Sequence, residues 1–287
     1  MEIQVNEKIY EWLEECKKKV ILLYGGSSSG KSFTFKQWIL LDKFLVEKDK
    51  VFFVFRKTNP SLKISIYKLF LEFLDEVNVP YEHNKTDQYI KFNGNIMYFF
   101  SLDDPEKYKS IEANYILLEE ATEFDEIDFK RLKISIRRSL KNKDDKNQIF
   151  LLFNPVSTDN YIYKNFFEQE DDECGKLHVT YKDNPFLDEE AVKTLENEKD
   201  ELYYTIYTLG QWGSISETNS IIPMQLLQKC YKVNREDSGG LDIGVDVARM
   251  GDDEIVIYYK IGNKVYPPIV MAKKKAYEIA QEIQNVI

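Results

Sequence analysis

Val20-Ile21-Leu22-Leu23-Tyr24-Gly25-Gly26-Ser27-Ser28-Ser29-Gly30-Lys31-Ser32 decides how this chain is read. Its last eight residues spell G-x-x-x-x-G-K-S, a complete phosphate-binding loop. The apolar run before it predicts a buried strand, and Phe33 to Leu41 continues as a helix. A loop between a strand and a helix N-terminus presents backbone N–H groups and a positive dipole end to a phosphate. Gly25 and Gly30 permit the tight turn, while Gly26, Ser27, Ser28 and Ser29 complete the cradle. Lys31 is placed to reach the β- and γ-phosphates, and the Ser32 hydroxyl to ligate Mg²⁺. The motif names a nucleoside triphosphate. It does not name what the triphosphate drives.

Outward from the loop, strands and helices alternate. An amphipathic helix over 6–19 precedes it, with Ile9, Trp12, Leu13 and Cys16 on one face. Core packing is the ordinary job of Tyr10 and Trp12, although either ring is also a candidate to stack on adenine. Lys50 to Arg56 reads as a second buried strand, Asn59-Pro60-Ser61 as a turn, and Ile66 to Val77 as a helix. Asn93-Gly94 between two β-rich runs predicts a hairpin. Tyr115 to Leu118 is an apolar strand ending in Glu119 and Glu120. A helix over 126–140 and a polar loop over 141–147 lead to the buried strand Ile149 to Phe153, stopped by Asn154-Pro155. Lys176 to Tyr181 is a last strand, and Asp188 to Leu209 one long helix or a pair. The alternation predicts an α/β fold with a mostly parallel sheet flanked by helices.

The texture changes after Gly213. We expect a P-loop domain over 1–213, a polar linker over 214–237 and a further, thin unit over 238–287. In that last stretch Leu241 to Val247, Glu254 to Lys260 and Val265 to Met271 read as strands and Lys274 to Ile287 as a helix. So few elements make a small core.

Composition narrows the partners. Formal net charge is −10 over 287 residues, so a nucleic acid would have to be met by local basic patches. Lys17-Lys18-Lys19, the run Arg137, Arg138, Lys141, Lys143 and Lys146, and Lys273-Lys274-Lys275 are the candidates, though a solvated face is the usual role of each. Three widely spaced cysteines, Cys16, Cys174 and Cys230, form neither a disulfide framework nor a zinc motif. No apolar run spans a membrane, and the N-terminus is no signal peptide. The expected compartment is a reducing cytoplasm.

Glu119 and Glu120 stand where a P-loop ATPase carries its second acidic motif. Glu119 is expected to hold Mg²⁺ through water and Glu120 to act as general base on the attacking water. The usual first acid is Asp, and Glu119 departs from that. Asn154 is a candidate sensor of the γ-phosphate. Arginine often stabilises phosphoryl transfer; Arg56 is the candidate in cis at the sheet edge, and Arg131, Arg137 or Arg138 in trans. Asp246 lies inside an apolar strand, a costly place unless the carboxylate faces solvent or a cation. It is a candidate first metal ligand of a divalent-metal nuclease.

Together these residues resemble the large terminase subunit of tailed bacteriophages. The matching stretches are Tyr24-Gly25-Gly26…Ser29-Gly30-Lys31-Ser32, Arg56-Lys57…Ser61-Leu62 and Leu118-Glu119-Glu120-Ala121-Thr122-Glu123. Phe153-Asn154-Pro155, Thr180-Tyr181-Lys182-Asp183-Asn184-Pro185-Phe186-Leu187, Leu209-Gly210-Gln211-Trp212-Gly213 and Gly244-Val245-Asp246-Val247-Ala248 follow in the family's order. The resemblance implies a packaging ATPase using ATP and Mg²⁺. It further implies the start of an RNase H-like nuclease with Asp246 as first ligand of Mg²⁺ or Mn²⁺, here incomplete and unable to cut DNA alone. Asn154 falls in the motif that couples hydrolysis to movement. The implied partners are double-stranded DNA, a procapsid portal, the small terminase subunit and further copies in a ring, with no membrane. The implied location is the cytoplasm of an infected bacterial host. Many relatives carry an arginine inside the loop, where this chain has Ser27-Ser28-Ser29. Two other readings remain open: a helicase-like or chaperone-like P-loop ATPase, and a nucleotide-gated binding module without turnover.

Overall fold

The computed structural model describes residues 3–58, 62–102, 112–138, 147–169, 171–213, 238–247, 254–272 and 274–286. The chain divides into two compact units, Met1–Asn219 and Ser220–Ile287. The expected linker over 214–237, the Asn59-Pro60-Ser61 turn, Cys230, and the lysines 141, 143, 146 and 273 lie outside the described residues.

The first unit is built on an eight-stranded sheet. Its strands are β1 (Val20–Gly25), β2 (Val51–Arg56), β3 (Glu82–Asn84), β4 (Tyr89–Phe92), β5 (Asn95–Ser101), β6 (Tyr115–Glu119), β7 (Gln148–Phe153) and β8 (Cys174–Val179). They lie in the order β3-β4-β5-β2-β6-β7-β1-β8. The six from β5 to β8 pair in parallel, and β3 and β4 add an antiparallel edge. Both faces are covered, which is why β1, β2 and β7 read as unbroken apolar runs. The antiparallel edge comes from the expected hairpin. Asn93 and Gly94 both take positive φ, 50° and 81°, the two left-handed residues of a type I′ turn.

Helices divide between the faces. α1 (Glu7–Glu15), α2 (Lys31–Trp38) and α3 (Lys68–Glu76) bury Ile9, Leu13, Phe35, Trp38, Phe70 and Phe73 against one face. α4 (Glu126–Ser135) and α5 (Tyr161–Phe166) bury Phe129, Leu132, Ile162 and Phe166 against the other. α1 starts at Asn6, whose side chain accepts from the Ile9 N–H. α2 and α3 carry π-helical turns, Ile39–Phe44 and Leu62–Tyr67. The stretch after β8 is no single long helix. It breaks into α6 (Glu189–Glu196), α7 (Glu201–Tyr203) and a π turn, Tyr204–Thr208, because Asp188 and Asp200 each cap a fresh start.

In the second unit, β9 (Leu241–Asp246), β11 (Lys264–Val265) and β12 (Ile269–Ala272) all pair antiparallel with β10 (Glu254–Ile261). The run from Val265 to Met271 is two strands because Pro267 and Pro268 supply no N–H. α8 (Ala276–Val286) sets Ile279 against Ile255 and Ile257.

Candidate nucleotide site

Strand order brings the expected residues to one edge. β7 lies between β1, which feeds the phosphate loop, and β6, which ends in the acids. β1 and β7 run in register to Tyr24 and Phe153, so Asn154 emerges beside Gly25. Glu119 is level with Leu152 of β7. On the far side of β6, Phe55 pairs Leu118, which puts Arg56 next to Glu119. Gly25, Lys31, Asn154, Glu119, Glu120 and Arg56 therefore meet at the carboxyl edge of the parallel strands, where open α/β sheets bind ligands.

The side chains are interlocked. Lys31 is buried, and its Nζ donates to Asn154 Oδ1 at 2.6 Å and to the Gly26 carbonyl at 3.0 Å. Burial lowers its ammonium from 10.5 to about 8, against the pull of Glu120 and Glu119. The Ser32 hydroxyl lies near enough to the Glu119 carboxylate to favour its charged form. Burial lifts that carboxyl above its ordinary range; Arg56 opposes the rise and Glu120 adds to it. Arg56 Nη1 lies 3.8 Å from Glu120 Oε1, and Arg56 Nε is buried without a partner. Glu120 itself has φ 54° and ψ 53°, left-handed backbone that costs a non-glycine residue about 1–3 kcal/mol and clusters at functional sites. Asn160 and Tyr161, at the start of α5, hold the turn after it by donating to the carbonyls of Thr122 and Ala121.

A strap from the end of this unit closes over the loop. Ser27 N–H donates to the Tyr207 carbonyl at 2.6 Å, and Gly26 N–H to that of Val179 at 3.2 Å. Gly210, at φ 64°, lies so close that a Cβ there would stand 2.3 Å from the Gly26 nitrogen. His178 Nε2 donates to the Gly210 carbonyl at 2.9 Å. Trp212 pins the strap's end among Phe153, Tyr163 and Phe167. None of these roles was legible before folding, because they join residues from 32 to some 180 positions apart through backbone carbonyls and ring packing.

Beside the loop lies a cavity of about 550 Å³. Gly30, Phe33, Thr34 and Gln37 of the loop and α2 form one wall; Asn184 and Phe186 contribute another. Gln37 Nε2 is tied to the Gln4 carbonyl, and its buried Oε1 has no partner. Neither Tyr10 nor Trp12 reaches this cavity. The Tyr10 hydroxyl donates to Asp42, and Trp12 packs against the core.

Several of the described basic-patch residues are engaged within the chain. Lys18 donates to the Asp172 carbonyl, Arg137 pairs with Glu112 at 3.0 Å and Lys274 with Glu278. Arg131, exposed on α4, has no acidic partner among the described residues. In the second unit Asp246 is exposed, opposite Val256 of β10. Among the described residues no three His, Cys, Asp or Glu side chains gather to hold a metal there; Asp252 and Asp253 lie outside them.

A phosphate loop at the carboxyl edge of a parallel sheet, with an acid-tipped strand one position removed, defines a P-loop nucleoside-triphosphatase fold. The phage terminase large subunit family matches residues 17–211, and the chain belongs to that family of DNA-packaging ATPases. It is 26% identical to the PBSX phage terminase large subunit of Bacillus subtilis strain 168, covering 98% of this chain and 72% of that protein. The large terminase of a thermophilic bacteriophage has a similar fold, with TM-score 0.64 at 16% identity over 98% of this chain and 73% of that one. The same thermophilic phage protein in complex with ATP-gamma-S gives TM-score 0.60 at 16% identity, with 98% and 72% covered. No helix among the described residues is long and apolar enough to cross a membrane.

Proposed function

We propose that this chain is the ATP-hydrolysing motor subunit that moves viral double-stranded DNA into a procapsid. The observation that carries the reading is the convergence of Lys31, Asn154, Glu119, Glu120 and Arg56 at one sheet edge, with Lys31 bonded to Asn154 and Arg56 paired with Glu120. A pure switch needs the loop and the metal site but no base. Glu120, held beside an arginine in strained backbone, supports turnover.

The roles follow from position. The N–H groups of the loop beyond Ser27, whose own N–H and that of Gly26 are held by the Tyr207 and Val179 carbonyls, and the Lys31 ammonium bind the phosphates of ATP. The cavity beside Gly30 takes the adenosine. Ser32 and Glu119 offer hard oxygen donors side by side, which fits Mg²⁺; when bound, it neutralises charge on the β- and γ-phosphates. Glu120 accepts the proton of the attacking water, and Arg56 orients that carboxylate. Asn154 shares Lys31 with the phosphates, so loss of the γ-phosphate returns the ammonium to it. That exchange links hydrolysis to β7.

Double-stranded DNA, a portal, the small subunit and a ring of copies in the cytoplasm of an infected host belong to the same proposal. Arg131 is a candidate to act in trans. Arg137, Arg138 and Lys141 are proposed to lie near DNA, with Arg137 first released from Glu112. The second unit, proposed to span 238–287, is read as the opening of an RNase H-like nuclease with Asp246 as its first ligand for Mg²⁺ or Mn²⁺. The described residues do not complete a metal site there, so no cleavage step is assigned. Supercoiled plasmid incubated with this chain and Mn²⁺ is expected to stay unnicked; nicking that Asp246→Ala abolishes would contradict this.

Glu120→Gln tests the ATPase directly. The variant is expected to bind ATP as the wild type does and to lose roughly 10²–10⁴-fold in turnover. Unchanged turnover would remove Glu120 from the base role.

A further inference from the structure

The stretch Thr180 to Leu187 lies outside every element assigned to phosphate chemistry, yet it touches the phosphate loop. Asn184 Nδ2 donates to the Ser28 carbonyl at 2.7 Å, while its Oδ1 accepts from the Phe186 N–H at 3.1 Å. The two bonds together fix which way the amide faces. The same amide lies against Gly30, with Cγ 3.5 Å from where a Cβ would stand.

Ser28 is the one loop serine with positive φ, 56°. Left-handed backbone is unfavourable for a residue with a Cβ. Something must hold it, and the Asn184 amide grips its carbonyl. In a planar trans peptide the C=O and the next N–H point in opposite directions. Holding the Ser28 oxygen outward therefore turns the Ser29 N–H to the opposite side. A run of N–H groups turned to one side is what makes an anion-binding nest.

Asn184 is anchored in turn. Asp183 closes a capping box with Thr180. Asn6, itself buried, donates to the Asp183 carbonyl at 2.6 Å, and Lys8 pairs with the Asp183 carboxylate at 2.7 Å. Burial alone would raise that carboxyl, but the bonds from Lys8 and Thr180 outweigh it and hold it below its ordinary value. The start of α1 thus clamps the turn from which Asn184 reaches the loop.

We propose that Asn184 is a positioning residue of the phosphate loop: its amide holds the Ser28–Ser29 peptide in the orientation that receives a nucleotide's phosphates. The inference rests on the reading of 25–32 as a nucleotide-binding loop. It predicts that removing the amide weakens binding of any polyphosphate, with or without a base.

The test is calorimetric binding of Mg-ADP and of inorganic tripolyphosphate to the full chain. Wild type, Asn184→Ala, Asn184→Asp and Lys31→Ala are compared, with melting curves of each. Asn184→Asp keeps the acceptor for the Phe186 N–H but replaces the donor to Ser28 with a negative charge, so Asn184→Ala, which adds no charge, carries the test of loop positioning and its melting curve separates that from collapse of the turn. Both Asn184 variants are expected to melt near the wild type and to bind ADP and tripolyphosphate about tenfold more weakly. With turnover, KM for ATP rises about tenfold for Asn184→Ala while kcat stays within about twofold. Wild-type affinity for both ligands in both variants would overturn the proposal. So would weakened ADP binding with unchanged tripolyphosphate binding, which would assign Asn184 to the base cavity instead. If the wild type bound neither ligand, or Lys31→Ala bound them equally well, the nucleotide-loop reading would fail first and this inference with it.

Discussion

Lys31 is held by an amide and a backbone carbonyl whose oxygens stand in positions a phosphate oxygen would compete for. Lys31→Ala is expected to lower Mg-ADP affinity by at least about tenfold, the loss of one charge-assisted contact; calorimetry reads it, and an unchanged Kd would contradict it. A second residue-scale prediction concerns Cys174. Burial pushes its thiol up to about 12, so almost no thiolate exists at pH 8. Half-buried Cys174 is expected to react with a disulfide reagent far more slowly in the folded protein than in the unfolded one; equal rates would contradict the raised thiol pKa. Lys31, Ser32 and the acid pair were legible as residues because fixed spacing carries their chemistry. Asn184 stood out only as part of the stretch from Thr180 to Leu187, with no role attached, and His178 and Gln37 did not stand out at all. Their partners are backbone groups or nothing at all, and no spacing encodes a carbonyl brought in from a distant turn.

The strap over 204–213 shows what an element can do that a motif cannot. Gly210→Ala would place a methyl against the Gly25–Gly26 backbone and force a residue with a Cβ into left-handed φ. The expected cost is about 2 kcal/mol, a fall in Tm of roughly 4–8 °C, together with weaker ADP binding. A melting curve and affinity matching the wild type would show that the strap does not brace the loop. Gly94→Ala in the β4–β5 turn should cost a comparable ~1–2 kcal/mol but leave ADP affinity alone, since β2, β6 and β7 stand between β5 and β1. Parallel strands were easy to read as elements because burial on both faces makes them uniformly apolar. The Asn93-Gly94 hairpin was equally plain. The π turns after α2 and before α3 were not, since their apolar pattern resembles an ordinary helix. Nor was α5, six residues long and set by the Asn160 cap.

At the scale of the molecule, the pattern of elements defined the fold class, and the order of strands built the site. Alternation of strand and helix implied a parallel sheet, but only the order β2-β6-β7-β1 explains why Asn154 meets Lys31 and Arg56 meets Glu120. The net charge of −10 did not locate a DNA path, and several basic residues that could have marked one are paired within the chain. Motion of DNA must therefore be read from its effect on turnover. The most direct measurement is steady-state ATP hydrolysis by the wild-type chain and by Glu120→Gln, each with and without linear duplex DNA. The account predicts hydrolysis by the wild type, faster with DNA, and a residue of about 1% or less in Glu120→Gln under both conditions. Equal hydrolysis by the two proteins, or wild-type turnover indifferent to DNA, would contradict an ATP-driven DNA motor built on this site.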